Sequence, residues 1–242
     1  MPGVRPGFRR EELIARYDVA AIREDDWHTH SGNRTAKLVA AYLSLFHPTS
    51  NLLLNAGAGV YEIRSDTWRE IALDLFAAPL GNRKSAVCGS VEALPFEDGM
   101  FGAVVCVGEV LGYCDPAKAI AEFSRVLVPG GILICDFGNS RSARYWLRKP
   151  YGRAADLVVD CYNGTPERIW VYDPSYVGAL LVSSGFDIKV RLGTHTWSAL
   201  VRRFGMSVSP AVLVQRGLNW LPFPRAFADI MTIVAMRSVT GT

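Results

Sequence analysis

The stretch LLLNAGAG at residues 52–59 decides the fold that the rest of the sequence must fit. An apolar run breaks there into a Gly-x-Gly turn, Gly57 and Gly59, and a second apolar run ends in an acid, Asp74. Glycines after a strand let the backbone approach a ligand, and a carboxylate ending the next strand can accept hydrogen bonds from two ribose hydroxyls. The pattern predicts an open α/β sheet that binds an adenosine-containing cofactor.

Composition indicates a globular protein that is large enough to bury a sizeable core. Half of the 242 residues are hydrophobic and a fifth are charged. The 26 basic and 23 acidic residues leave a net charge of only +3, and no basic run resembles a nucleic-acid patch. We therefore expect no nucleic-acid partner.

The cysteines and the first residues favour a cytoplasmic location. Five cysteines show no C-x-x-C spacing, which fits a reducing compartment. Residues 1–10 carry three arginines but no apolar segment of a signal peptide, and no run reaches the 18 apolar residues of a membrane span. The basic, aromatic-rich stretch 197–225 can either contact a membrane peripherally or pack on its own domain.

Apolar runs alternate with helical or turn-rich stretches and predict a single domain. Continuous apolar runs, typical of parallel strands buried on both faces, lie at 51–55, 69–74, 85–89, 102–107 and 131–136. Further strands are predicted at 156–162, 168–172, 186–192 and 228–236, the first two joined by an Asn-Gly turn. Asp115 and Asp173, each followed by proline, predict helix starts. Residues 10–46 predict two helices separated by a polar loop at 23–32.

Motif spacing separates this glycine turn from other nucleotide sites. A dinucleotide fingerprint needs a third glycine, but Val60, Tyr61 and Glu62 follow Gly59, and no Walker lysine is present. The residues instead resemble class I S-adenosylmethionine-dependent methyltransferases. The resemblance rests on segments whose order and intervals agree with the family across residues 50–137: LLNAGAGVY at 53–61, Asp74, GSVEALPF at 89–96, FGAVV at 101–105 and RVLVPGG at 125–131.

The resemblance implies a fold and a division of the chain. The fold is α/β: a Rossmann-like, doubly wound, seven-stranded and mostly parallel sheet with an antiparallel last strand, to which the sequence adds a hairpin insert. Residues 1–242 would form one class I methyltransferase domain of the small-molecule, methyltransferase type 11-like branch. Within it, residues 1–50 would be an N-terminal helical lid, 51–137 the cofactor-binding core, and 138–242 an acceptor-side half with the hairpin and a helical insert.

The implied function is transfer of a methyl group from S-adenosylmethionine to an oxygen, carbon or nitrogen of a small, partly apolar acceptor by direct displacement. Asp74 would hold the ribose, Ser90 and Val91 the adenine, and Arg34 the cofactor carboxylate. The implied cofactor contacts are Asn55, Gly57, Gly59, Asp74, Leu75, Ser90, Val91, Val107 and Arg34.

The candidates for acceptor contact are Glu109, Tyr113 and His28. Glu109 and Tyr113 follow the fourth predicted strand at the ligand-binding edge of the sheet, and a base is needed only where the acceptor is protonated. His28 and His30 form an H-x-H pair, but no further ligand cluster accompanies it, so we expect no metal.

Three positions depart from the family pattern, and two other functions stay open. Asn55 and Ser90 are neutral where the family has acids, and Tyr61 replaces its third glycine. The neutral positions leave a non-catalytic S-adenosylmethionine- or nucleotide-binding module as one alternative. A nucleic-acid methyltransferase is the other, although the Asn/Asp-Pro-Pro-aromatic motif that enzymes methylating nucleobase amines often carry after the fourth strand is missing. The acceptor and the oligomeric state are not predicted.

Overall fold

The structure, a computed structural model, describes residues 26–46, 49–162, 165–218 and 225–239. The helices in these ranges are α1 (Asp26–Ser44), α2 (Ala77–Leu80), α3 (Pro116–Val126), α4 (Pro174–Ser183), α5 (Thr196–Arg203) and α6 (Val208–Leu218). The strands are β1 (Leu52–Ala56), β2 (Arg69–Asp74), β3 (Ala86–Cys88), β4 (Phe101–Cys106), β5 (Leu127–Asn139), β6 (Ala155–Tyr162), β7 (Thr165–Tyr172), β8 (Phe186–Thr194) and β9 (Ile230–Arg237). Among the described helices, none is long and apolar enough to cross a membrane.

The sheet confirms the predicted mostly parallel topology. Strands β3, β2, β1, β4 and β5 lie side by side and are parallel. β9 pairs antiparallel with β5, and β8 pairs antiparallel with β9. The seven strands 3-2-1-4-5-9-8 therefore form the expected sheet, with β9 as the antiparallel last strand of the chain.

The predicted hairpin, β6 and β7, brings the described sheet to nine strands and joins it at the end of β5. Gly138 pairs with Val171 of β7 on one edge and with Ile230 of β9 on the other. β9 occupies one edge of β5, so the hairpin must pair with the other edge, which is the edge that β4 also uses. The hairpin pairs with β5 beyond the point where β4 ends. It therefore lies over the carboxyl end of β4.

Two apolar layers bury the two faces of the sheet. On one face, α3 and α4 pack against Leu54, Val104 and Leu133, which form part of the largest buried cluster. The helix starts are as predicted: Asp115 caps α3 by accepting hydrogen bonds from the backbone amides of the next turn, and Asp173 caps α4 in the same way.

Helix α1 covers the other face at the place of a missing crossover helix. Residues 57–68 contain no helix and α2 has four residues, so the first crossover is a loop and the second contains only a short helix. Val39 and Leu43 of α1 pack there with Leu53 and Trp68, and the Trp68 indole donates a hydrogen bond of 3.1 Å to the Leu43 carbonyl oxygen.

The predicted polar loop at 23–32 is wrong for residues 26–32, which belong to α1. A polar stretch is typical of a loop but also of a solvated helix end, so polarity alone does not separate them. The other helix predicted in 10–46 and residues 23–25 of that loop lie outside the described residues, and the role of residues 1–50 as a lid stays a prediction.

We expect Leu43→Ala to lower the free energy of unfolding by about 2–4 kcal/mol, because it opens a cavity between α1 and the sheet. Leu43 is 3% exposed, whereas the nearby Leu45 is 77% exposed. The matched Leu45→Ala variant should change stability by less than about 0.5 kcal/mol. Urea unfolding measures both, and equal effects would contradict the packing of α1 on the sheet.

Candidate functional site

The glycine turn after β1 is fastened to the end of β2. The backbone amides of Gly57 and Ala58 both donate to the Leu73 carbonyl oxygen, at 2.8 and 2.9 Å. The Gly59 amide donates to Asp74 Oδ2 at 2.8 Å, and the Phe76 amide donates to Asp74 Oδ1 at 3.0 Å. Each carboxylate oxygen has a second lone pair, so the fixed Asp74 can still accept two hydrogen bonds from a ligand.

Gly57 needs to be glycine for two reasons. Its φ of +74° lies in the left-handed region, which disfavours side chains. A Cβ on Gly57 would also come within 2.5 Å of Val110 Cγ2. Val110 begins the 3-10 helix Val110–Tyr113 that follows β4. The turn predicted to hold the cofactor therefore contacts the segment predicted to meet the acceptor.

The Asn55 side chain holds in place the loop 57–68, which replaces the first crossover helix. Its side chain is 2% exposed, and Nδ2 donates to the Tyr61 carbonyl oxygen at 2.9 Å and to Glu70 Oε1 at 2.6 Å. The Ile63 amide donates to the same Glu70 oxygen at 3.1 Å. These contacts use both amide hydrogens of Asn55, so its Oδ1 is the atom that can face a cofactor.

The predicted adenine contacts lie beyond β3. Ser90 Oγ accepts a hydrogen bond of 3.1 Å from the Glu92 amide, and Val91 is buried in the main core. Leu75, the residue after Asp74, is half-buried, and its carbonyl oxygen accepts a hydrogen bond from Cys88 Sγ. Ser90 and Leu75 thus flank the end of β3.

A half-buried arginine, Arg125, explains why two of the quoted motifs occur together. The Arg125 guanidinium donates to the carbonyl oxygens of Leu94 and Phe96 at 3.0 and 2.8 Å. It also pairs with Glu122 and Asp98, and these hydrogen bonds raise the pKa of Arg125 and lower that of Glu122. Arg125 of the RVLVPGG segment therefore holds the EALPF part of residues 89–96 in place.

Three other predicted residues differ in how far the structure describes them. Val107 is half-buried next to the α1-side core. Arg34 lies on α1, and partial burial together with the charge of Arg225 lowers its pKa. The backbone of His28 belongs to α1, while its side chain lies outside what the structure describes. Nothing in these positions tests their predicted roles.

Glu109 lies in a recess of the backbone at the end of β4. Its φ of +60° is left-handed, and its amide donates a hydrogen bond of 2.7 Å to Oδ1 of Asp136, a β5 residue that is 3% exposed. A Cβ on Gly138 would lie 2.9 Å from Glu109 Oε1 and 2.9 Å from Val171 Cγ1. The missing side chain at Gly138 therefore leaves room for the Glu109 carboxyl group beneath the hairpin.

Burial favours the protonated form of both carboxyl groups. Burial, followed by the charges of Asp136, Asp229 and Asp160, raises the pKa of Glu109 well above its usual range, and Arg144 opposes this. Burial raises the pKa of Asp136 to about 6, although hydrogen bonds from the Glu109 and Gly108 amides lower it. Glu109 is therefore a strong proton acceptor once it ionises.

Sequence reasoning missed a buried ionic group beside Glu109. Arg144 donates two hydrogen bonds to Asp160, at 2.6 and 2.7 Å, and lies 3.5 Å from Asp229 Oδ2. Ser142 Oγ donates to Asp229 Oδ1 at 2.8 Å. These residues come from the segment after β5, from β6 and from the residue before β9. No local motif brings them together, so only the topology could have revealed the group.

An apolar cluster completes the surroundings of Glu109. Val158 and Ile169 from the hairpin pack with Val171 and Tyr145, and Tyr113 packs against the same cluster. Close contact also joins the hairpin to the 3-10 helix, because a Cβ on Gly112 would lie 2.5 Å from Ile169 Cγ1. The structure thus brings the predicted pair Glu109 and Tyr113 to one region, with a carboxyl group beside apolar and aromatic side chains.

Comparison with known proteins shows that part of this chain matches one domain family and resembles a group of curated relatives. Residues 54–135 match the family model of the methyltransferase domain. The demethylmenaquinone methyltransferase of Thermus thermophilus is 28% identical over 119 residues, which are 45% of this chain and 54% of that protein. The match thus spans about half the length of this relative.

Solved structures support the fold over most of the chain. The [4+2]-cyclase SpnF superposes with a TM-score of 0.58 at 19% identity, covering 90% of this chain and 86% of SpnF. The 1,6-didemethyltoxoflavin-N1-methyltransferase of Burkholderia thailandensis gives a TM-score of 0.58 at 17% identity, with 95% and 87% covered. That structure contains 1,6-didemethyltoxoflavin and S-adenosylhomocysteine.

We expect the buried carboxyl of Asp136 to make stability depend on pH. Between its ordinary pKa of 3.8 and about 6, the folded state binds more protons than the unfolded state, so stability falls as pH rises and does not recover above that interval. Asp136→Asn keeps the Oδ1 acceptor and lacks this titration. The melting temperature of Asp136→Asn should therefore rise relative to that of the unmodified protein as the pH increases from about 4 to about 6.

The control is Asp187→Asn, at an aspartate whose side chain is 62% exposed. Its melting curve should follow that of the unmodified protein at each pH. A constant difference between Asp136→Asn and the unmodified protein over the whole pH range would show that Asp136 does not titrate in this way.

Proposed function

We propose that this chain, whose residues 54–135 match the methyltransferase domain and whose fold matches that of solved methyltransferases, methylates a small, partly apolar acceptor with S-adenosylmethionine. The observation that carries the proposal is the hydrogen bond from the Gly59 amide to Asp74. It fixes a carboxylate at the end of β2, beside the glycine turn, with two lone pairs available for the ribose hydroxyls.

The residues around the glycine turn fit this cofactor. No described atom lies within 4 Å of the position that a Cβ on Gly59 would take, so the backbone is open to a ligand there. Asn55 Oδ1 and the glycine turn would hold the methionine end, Asp74 the ribose, and Ser90 with Val91 the adenine. Leu75 and Val107 would add apolar contacts, and Arg34 would pair with the cofactor carboxylate.

The acceptor would bind at the carboxyl end of β4, beneath the hairpin. When bound, S-adenosylmethionine supplies a methyl group on a sulfonium, which is displaced directly if the acceptor is aligned and water is excluded. Tyr113 and the apolar cluster of the hairpin would orient the acceptor. Glu109, in its ionised form, would take the proton that the acceptor loses as it is methylated. The role of His28 stays a prediction.

A hydroxylated aromatic ring is the acceptor class that these surroundings fit best. Apolar and aromatic side chains would contact the ring, while the raised pKa of Glu109 makes its carboxylate a stronger base than that of an exposed glutamate. The relative from Thermus thermophilus is named for demethylmenaquinone, a quinone whose reduced form, the quinol, is a hydroxylated aromatic ring. A short-chain demethylmenaquinol is therefore the first acceptor to assay.

One observation favours a second function. Both amide hydrogens of Asn55 are used within the protein, and the position lacks the charge that would attract the ammonium group of the cofactor. SpnF is named a cyclase although it shares the fold. A protein that binds S-adenosylmethionine without transferring its methyl group is therefore the alternative.

We expect Asp74→Ala to weaken the binding of S-adenosylmethionine by roughly ten- to a hundredfold, because hydrogen bonds to a charged group are lost. Titration calorimetry with S-adenosylmethionine, S-adenosylhomocysteine and NAD measures the effect, and NAD should not bind. Asp66→Ala, at an exposed aspartate of the loop 57–68, is the matched control. Unchanged affinity in a folded Asp74→Ala variant would refute the ribose site.

We expect Glu109→Gln to lower kcat by about a hundredfold or more while leaving the affinity for S-adenosylmethionine unchanged, because it removes the proton acceptor. The kcat of the unmodified protein should rise with pH as Glu109 ionises, and the variant should lose this rise. Glu97→Gln, at an exposed glutamate, is the control. Tight cofactor binding without methyl transfer to any acceptor of a broad panel would favour the alternative function.

A further inference from the structure

Two stretches of this chain contain basic residues but no acidic ones. Residues 137–155 and 188–228 contain no aspartate or glutamate, although the chain has 23 acidic residues. The basic residues of these stretches number eleven of the 26: Arg141, Arg144, Arg148, Lys149, Arg153, Lys189, Arg191, Arg202, Arg203, Arg216 and Arg225. The small net charge of the whole protein therefore conceals two purely basic stretches.

The fold joins the two basic stretches. Arg203, the last residue of α5, donates a hydrogen bond of 3.0 Å from Nε to the Trp146 carbonyl oxygen. The Trp146 ring packs edge-on against Phe227, with 5.3 Å between the ring centroids. The residues that follow Trp146 and Arg203 in the chain, Leu147 and Phe204, therefore lie on neighbouring segments of one surface.

Large apolar side chains project from this surface. Leu147 is 97% exposed, Phe204 is 82% exposed, and Met206 is 38% exposed. Leu147 also has a φ of +59°, a left-handed conformation that is unfavourable for a residue with a Cβ. Packing against the described residues does not offset the cost of this conformation, since the Leu147 side chain points into solvent.

Two basic side chains next to Leu147 have no acidic partner among the residues that the structure describes. Arg148 and Lys149 are exposed and form no ion pair with a described residue. The other basic residues of residues 137–155 differ: Arg141 pairs with Asp173, Arg144 with Asp160, and Arg153 with Asp156. Within residues 137–155, the positive charge that is not paired with a described acid is thus concentrated beside the protruding leucine.

We propose that the docking face, residues 147–149 and 204–206, rests on the surface of an anionic lipid bilayer. Exposed leucine, phenylalanine and methionine beside unpaired arginine and lysine form the combination with which peripheral proteins enter the boundary between headgroups and acyl chains. The absence of acids from both stretches avoids repulsion by anionic headgroups. An acidic protein would match the charges of this face, but charge pairing alone would leave the apolar side chains of Leu147 and Phe204 exposed to water.

The docking face lies next to the residues proposed to meet the acceptor. Tyr145 of the apolar cluster and Arg144 of the buried ionic group come immediately before Trp146 and Leu147 in the chain. An acceptor dissolved in the bilayer would thus reach the site without crossing water. This last step rests on the proposed function, whereas the docking itself does not.

Co-sedimentation with vesicles, without cofactor or acceptor, tests the docking. The full chain should pellet with vesicles of equimolar phosphatidylcholine and phosphatidylglycerol, and much less with phosphatidylcholine alone or at high salt. Leu147→Ser with Phe204→Ser should weaken binding by roughly tenfold or more. Arg148→Gln with Lys149→Gln should also weaken it by about tenfold or more, because two charges near the headgroups are lost.

Two control variants are matched in residue type and exposure. Leu45→Ser removes a leucine that is 77% exposed on the α1 side, and Lys84→Gln removes an exposed lysine near β3. Both should bind vesicles as the unmodified protein does, and thermal melting should show that every variant folds.

Failure of the full chain to pellet with anionic vesicles would overturn the proposal, as would unchanged binding of Leu147→Ser with Phe204→Ser. Binding to polyglutamate or DNA but not to vesicles would assign the face to an acidic macromolecule instead. Because no methyl transfer is measured, these results do not depend on the catalytic proposal.

Discussion

The hydrogen bonds between the glycine turn and the end of β2 connect the two segments that we propose bind the cofactor. The Leu73 carbonyl oxygen accepts hydrogen bonds from two backbone amides of the turn, and the Asp74 carboxylate accepts a third from the Gly59 amide. These contacts fix the distance between the carboxyl ends of two parallel strands. They also bring Gly57 against Val110, so that the glycine turn proposed to hold the cofactor contacts the segment proposed to meet the acceptor. A shift of the turn would move both sides together.

Much of the fold could be predicted from the sequence because the signals are local. Continuous apolar runs indicated the strands of the sheet, and an aspartate followed by proline indicated the starts of α3 and α4. The motifs also indicated which segments meet at the sheet edge. The N-terminal boundary of α1 was wrong because the polar composition of residues 26–32 suits a loop and a solvated helix end equally well.

The rest of the site could not be predicted because it depends on contacts between distant residues. Arg144, Asp160 and Asp229 meet only after the hairpin has paired with the end of β5 and β9 has paired along it. Nor does the sequence predict that the side-chain amide of Asn55 donates its hydrogen bonds to Tyr61 and Glu70. The motif predicted that Asn55 would lie at the site, but the direction of its hydrogen bonds depends on a loop that replaces a helix.

The position of β9 has a consequence for how the chain folds. Val234 of β9 pairs with Ile134 of β5, a hundred positions earlier, whereas β1 to β5 pair with strands much closer in sequence. Closing such a long loop costs entropy before any contact is gained, so distant pairings form slowly. The parallel half can therefore assemble while the polypeptide emerges from the ribosome. The β5 edge must wait for β9, and Asp229, the residue before β9, is the last of the groups around Glu109 to reach its place.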